Sequence, residues 1–194
     1  MTSDPSPRTA VVVGTVWCGG TEMRVLVTVA SRHGATREVG DAIAEVLRRA
    51  GHVVEIADPE DVESLEGVDA VVLGSAVYVG RWAASARALV DRLAHGLSRR
   101  PVWLFSSGPV GAPLAPQGDP EEIASVMARL GARGHRTFAG RLDLGGLGIA
   151  ERAVVALVRA EEGDYRPWPQ IEDWARLIAA DLHQEEIRAV RLVR

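Results

Sequence analysis

The sequence predicts an α/β domain built as a doubly wound parallel sheet, and three observations carry that prediction. Short β-rich runs alternate with amphipathic helical stretches from Arg24 onward. The first run is apolar without interruption, as a strand buried on both faces must be. The helices also carry their own start and stop signals, so the alternation is not an accident of composition.

Taken in order, Val25, Leu26, Val27, Thr28, Val29 and Ala30 form the first strand. A helix follows, with Val39, Ala42, Ile43, Val46 and Leu47 at helical spacing, and Gly51 ends it. Val53 to Ala57 is the second strand and Ala70 to Gly74 the third. Ala86, Leu89, Val90, Leu93 and Leu97 mark the next helix, and Val102 to Phe105 is the fourth strand. Asp119, Pro120 and Glu121 read as a helix start, a cap followed by proline and acids at the positive end of the dipole. Ile123, Val126, Met127 and Leu130 give that helix its buried stripe, and Gly131 closes it. Arg136 to Ala139 is the fifth strand, and Ile171, Trp174, Ile178 and Leu182 define a last helix. Residues 149–160 read as an additional, nearly apolar helix interrupted by Arg152 and Arg159, packed on the sheet or in a dimer interface in preference to a membrane.

Bulk composition excludes several classes. A chain of 194 residues with 47% hydrophobic and 25% charged residues suits one globular domain with a sizeable core. The net charge of −4 comes with no basic stripe, which argues against nucleic acid as a partner. A single cysteine, Cys18, leaves no internal disulfide and no cysteine-based metal site. No apolar run reaches the roughly 18 residues a spanning helix needs. Residues 1–22 lack the basic start and long apolar stretch of a signal peptide, so a cytoplasmic location is expected. They read as a flexible extension, with the domain at 23–185 and a tail at 186–194.

Three loops follow the carboxyl ends of strands, where open α/β sheets bind their ligands. The first is Ser31, Arg32, His33, Gly34, Ala35 and Thr36. It joins a buried strand directly to a helix, so backbone N–H groups, two hydroxyls and the helix dipole converge on one spot. That suits a terminal monophosphate. The loop has neither the Gly-Lys-Ser/Thr of a nucleoside-triphosphate loop nor Gly-x-Gly-x-x-Gly, which disfavours dinucleotides. The alternative is an ordinary helix cap with solvated polar residues.

The second loop, Gly74, Ser75, Ala76, Val77, Tyr78, Val79, Gly80, Arg81 and Trp82, offers backbone donors and two aromatic rings to a planar heterocycle. Tyr78 is the first candidate for stacking. Trp82 reads equally as a stacking ring or as a core residue at the helix start. The third loop, Ser106, Ser107, Gly108, Pro109, Val110 and Gly111, is made of small residues that permit close approach, and holds no aromatic. Arg32, Arg37 and Arg81 lie on or beside this region, where they would meet an anionic substrate or stay solvated.

On these residues the chain resembles the flavodoxins. Ser31-x-x-Gly34-x-Thr36 after the first strand is similar to their FMN-phosphate loop. The nearer likeness is to flavodoxin-domain proteins related to menaquinone-dependent protoporphyrinogen oxidase. It rests on Gly80, Arg81, Trp82, Ala83, Ala84 and Ser85 before a helix, on the stretch from Phe138 to Asp143, and on Glu162 to Tyr165 leading to Asp173 and Trp174. The resemblance implies a five-stranded parallel sheet in the order 2-1-3-4-5 with helices on both faces. It implies FMN, its phosphate held by Ser31, Arg32, His33, Gly34, Ala35 and Thr36. Ala76, Val77, Tyr78, Val79 and Gly80 would line the isoalloxazine, and Ser106, Ser107, Gly108 and Pro109 would close its other edge. His33 stands where flavodoxins commonly have threonine, and the third loop lacks the tyrosine that often covers the flavin.

An FMN-dependent oxidoreductase acting at flavin N5 is therefore expected, with a quinone-linked protoporphyrinogen oxidase as its specific form. No catalytic side chain stands out and no metal is expected. The alternatives are a flavodoxin-type electron carrier without its own substrate, and an interaction domain that has lost its flavin. Expected partners are a redox donor or acceptor, either a quinone or a redox protein, with at most peripheral membrane contact and a homodimer as the oligomer to test.

Overall fold

The computed structural model describes residues 22–108, 119–143, 145 and 161–192. Their elements are β1 (Arg24–Ala30), α1 (Ala35–Arg49), β2 (Val53–Ala57), β3 (Ala70–Tyr78), β4 (Arg81–Trp82) and α2 (Ala84–Leu97). There follow β5 (Val102–Ser107), α3 (Ile123–Leu130), β6 (Gly134–Phe138), β7 (Arg141–Leu142), β8 (Gly163–Asp164) and α4 (Trp168–Leu192).

The central sheet runs β2-β1-β3-β5-β6, all parallel, which is the expected order 2-1-3-4-5 when the five long strands are counted alone. The order reverses on either side of β1, so β1 and β3 leave their carboxyl ends at the switch in direction. Two short antiparallel additions escaped the sequence reading, β4 folded back on β3 and the β7-β8 ribbon.

Alternation along each strand separates two apolar layers. Val25, Val27, Val29, Val72, Trp103 and Phe105 face α1 and α4, where they meet Ile43, Leu47, Ile171, Trp174, Ile178 and Leu182. Leu26, Ala30, Val71, Leu73, Val102 and Leu104 face α2 and α3, where Leu89, Val90, Leu97, Ile123 and Leu130 close over them. Gly74 is glycine for a packing reason, because a Cβ there would overlap the Phe105 ring.

Several boundaries differ from expectation. The third strand runs to Tyr78 and the fourth to Ser107, so the start of each expected loop is strand. The third helix begins at Ile123, not at Asp119. The Asp119 carboxylate is turned to β6 instead, where it accepts a hydrogen bond from Thr137 Oγ1 at 2.8 Å. The last helix stays helical to Leu192, through residues read as tail. The expected helix at 149–160, Cys18, and residues 1–21 lie outside the described residues. Among the described residues no helix is long and apolar enough to cross a membrane.

Candidate functional site

The carboxyl ends of β1, β3 and β5 open into one cleft of about 870 Å³. The three segments singled out in the sequence converge there. Ser31, Arg32, His33, Ala35 and Thr36 line one end, Ala76, Val77, Tyr78 and Val79 the middle, and Ser107 and Gly108 the far edge.

At the first segment, Gly34 stands just before α1 with φ of 80°, a left-handed conformation that turns the chain sharply from strand into helix. No side chain caps this helix. The N–H groups of its first turn have no partner inside the helix, so they remain as donors at its positive end. Thr36 is buried at this end while Arg32 and His33 are exposed.

The second segment is a hairpin, not a loop. Val77 pairs with Trp82 and Tyr78 with Arg81, leaving a two-residue turn of Val79 and Gly80. Both turn residues have positive φ, 50° and 73°, as the tight I′ hairpin turn requires. Gly80 is thus a turn former and does not line the cleft. The Arg32 guanidinium lies over the Tyr78 ring, 5.2 Å from its centroid, so one face of the favoured stacking ring is already covered. Trp82 is a core residue, only 2% exposed, and an edge of it also forms part of the cleft wall.

At the third segment, Ser107 and Gly108 reach the cleft and Pro109 lies outside the described residues. Ser106 does not line it. Because β5 continues to Ser107, strand alternation turns Ser106 into the layer under α2 and α3, where it has no exposed surface. Gly108 has φ of 117°, and its N–H donates to the Phe138 carbonyl at 3.0 Å.

The cleft also has walls the sequence reading did not assign. Gly140, Arg141 and Leu142 of the β7 segment close one side, Glu60 stands after β2, and Ala83, Ala84, Ser85 and Arg87 come from the start of α2. Among the described lining residues, Arg32, Arg81, Arg87 and Arg141 face a single carboxylate, Glu60. Arg141 is held there by Glu38 at 2.9 Å, and Glu38 also binds the buried Arg166 at 2.8 Å. The Arg166 hydrogen bond is the main reason the Glu38 carboxyl sits below its ordinary range. No spacing rule links residues this far apart in sequence, so their meeting was not visible in it.

A family model described as flavodoxin domain matches residues 26–167. The chain belongs to the flavodoxin-domain family. Solved structures share the fold. A flavodoxin from the domain Archaea superposes with a TM-score of 0.56 at 15% identity, over 84% of this chain and 99% of that one. A Pseudomonas aeruginosa flavodoxin gives 0.56 at 16% identity, over 81% and 97%. The flavodiiron core from Synechocystis gives 0.58 at 16% identity, over 86% of this chain and 36% of that one. No curated protein matches the chain.

FMN is the cofactor of the flavodoxin family, and the residues present fit it. The volume falls within the range of small-molecule and cofactor sites, about 300–1,000 Å³. An uncapped helix N-terminus suits a phosphate dianion. Ala76, Val77 and Trp82 offer an apolar wall to a planar ring, and Gly108 lets the backbone come close at its edge. This flavodoxin domain departs from a symmetric flavin clamp in offering aromatic walls from the β3-β4 hairpin, while Ser107 and Gly108 bring none.

Proposed function

We propose that this flavodoxin domain binds FMN in the cleft and works as an FMN-dependent oxidoreductase on an anionic substrate. The observation that carries the reading is the cleft itself, lined by an uncapped helix N-terminus, four arginines and one carboxylate. The phosphate would lie on residues 31–36 with Thr36 and the first-turn N–H groups as donors. The ring would lie along Ala76, Val77, Tyr78 and Val79, with Ser107 and Gly108 at its edge and Pro109 just beyond. Bound FMN supplies hydride or single-electron transfer at N5. The protein's own share is to hold the ring, set the local field and admit the substrate. Arg81 and Arg87 stand at the α2 side of the cleft, where they would orient carboxylates.

A carboxylate-bearing porphyrinogen is the specific substrate we propose, with a quinone as acceptor. Each two-electron oxidation would remove a hydride and a proton from the substrate, and the quinone would leave as quinol. Such a protein would work in the cytoplasm, touch a quinone-bearing membrane only peripherally, and self-associate as a homodimer.

A second reading, an electron carrier that exchanges electrons with a redox protein, is favoured by one observation. The chain covers 99% of an archaeal flavodoxin, so it spans the whole of a protein of that kind. Reconstitution with FMN decides first. The protein should turn yellow and quench flavin fluorescence, and a protein that stays colourless overturns both readings. Loaded protein should then form quinol only when porphyrinogen is supplied. Absence of quinol with every quinone tried would leave the carrier.

A further inference from the structure

Two hydrogen bonds and one close charge contact lead from the cleft wall to the surface through Ser106 and His135, which the proposed chemistry does not use. The indole Nε1 of Trp82 lies 2.8 Å from Ser106 Oγ, and Ser106 Oγ lies 2.9 Å from His135 Nε2. His135 Nδ1 lies 3.2 Å from Asp119 Oδ1. The order Ser-His-Asp is that of an activated nucleophile, but Ser106 has no exposed surface and already accepts the indole proton, so no substrate can reach it. The directions of these bonds are set by chemistry. An indole N–H only donates, so Ser106 Oγ accepts from Trp82. Nδ1 makes no hydrogen bond, but the Asp119 charge 3.2 Å away attracts a proton to it, and in that tautomer Nε2 is bare and accepts from the Ser106 hydroxyl.

We propose that Asp119, His135 and Ser106 form a positioning chain that fixes the Trp82 indole in the cleft wall, and that protonation of His135 loosens it. An imidazolium donates from both nitrogens. Nε2–H would then point at Ser106 Oγ together with the indole N–H, and the hydroxyl proton would have to leave the histidine side. Both lone pairs of the oxygen would then be taken, and its own proton would need a new acceptor at a site with no exposed surface. The His135 side chain is itself only 3% exposed, and its burial holds the imidazole below the ordinary histidine value against the pull of Asp119. Among the described residues, the charges on the packed elements are these. Asp119 comes from the turn before α3. Glu122, at the start of α3, accepts from the Trp82 backbone N–H at 2.6 Å and lies 3.7 Å from Arg81 of β4. Arg129 of α3 is paired with Asp91 of α2, and β5 contributes only the Ser106 hydroxyl. The effect on the cofactor rests on FMN lying in this cleft, but the chain itself does not.

Nitrogen-15 NMR of the full chain without cofactor tests it between pH 4.5 and 8. The Trp82 indole N–H, assigned with Trp82→Phe, should shift in one transition with the same midpoint as the His135 ring, below the ordinary histidine value. His135→Gln should abolish the transition. Ser106→Ala should leave His135 titrating while the indole no longer follows, and it serves if His135→Gln fails to fold. An indole that does not track His135 in the native chain overturns the proposal, as does one that still tracks it in Ser106→Ala. FMN binding, read by fluorescence quenching, should weaken about 2- to 10-fold below the transition and become flat with pH in His135→Gln. Failure to bind FMN at any pH would sink the cofactor reading alone, because the indole titration is read without FMN.

Discussion

Val79 is the residue at which local chemistry and fold disagree most. It has φ of 50°, is 99% exposed, and stands at the tip of the β3-β4 hairpin on the rim of the cleft. A β-branched residue in the left-handed region is strained, at a cost of order 1–3 kcal/mol. The I′ turn favours asparagine or glycine at that position. Val79→Asn should therefore raise the stability by about 1 kcal/mol, read as a higher urea midpoint with an unchanged slope. An equal or lower midpoint would show that the valine contributes packing its exposure does not reveal. If the strained tip serves the ring site, the same variant should bind FMN less tightly while being more stable.

At the scale of elements, the β7-β8 ribbon is fastened to the first turn of α1 by Arg166. Its guanidinium binds Asp164 at 2.6 Å, Glu38 at 2.8 Å and the Ala35 carbonyl at 3.1 Å. It also lies over the Trp168 ring at 4.4 Å. Hydrogen bonds from Arg166 are the largest cause of lowered pKa at both Glu38 and Asp164. A carboxyl whose folded pKa is depressed stabilises the fold fully above its unfolded value, and that stabilisation is lost as pH falls through the folded value. Unfolding midpoints should thus hold steady above the ordinary values of 4.5 and 3.8 and fall progressively in more acid solution. Glu38→Gln should flatten part of that fall. A profile identical to the native chain's would mean the ion pairs are too solvated to matter. Because α1 begins at the end of the cleft lined by residues 31–36, this fastening also sets where Arg141 stands.

At the scale of the whole molecule, sign of charge separates the site from the rest. The chain carries −4 overall, yet the described cleft lining has four arginines against one glutamate. A ligand bearing a phosphate dianion should therefore be preferred over its uncharged analogue. FMN at about 100 times its Kd should raise the melting temperature by roughly 5–10 °C, the shift expected for about 2.7 kcal/mol in a domain of this size. Riboflavin, which lacks the phosphate, should raise it markedly less at the same concentration. Equal shifts for the two would remove residues 31–36 from the site.

The sequence by itself determined the layered sheet and the place of the first loop, because these follow from local periodicity and from glycine and proline punctuation, while the strand order came with the family resemblance. Val25, Val27 and Val29 against Leu26 and Ala30 assign themselves to two faces by alternation alone. Gly131 ends its helix in the left-handed conformation that a terminal glycine suggests. The tertiary structure alone decided where strands gave way to loops, since pairing with a neighbour can extend a strand through residues of little β-propensity. That is why Ser106, read as a cleft residue, is buried instead beside His135 and Trp82. It also decided the arginine lining, whose Arg141 meets Glu38 from more than a hundred residues away, beside the buried Arg166 that binds the same carboxylate. The resemblance that pointed to FMN came from residues 31–36. The cleft around them was assembled by the fold, because long-range charge pairs and strand register leave no periodic trace in a chain.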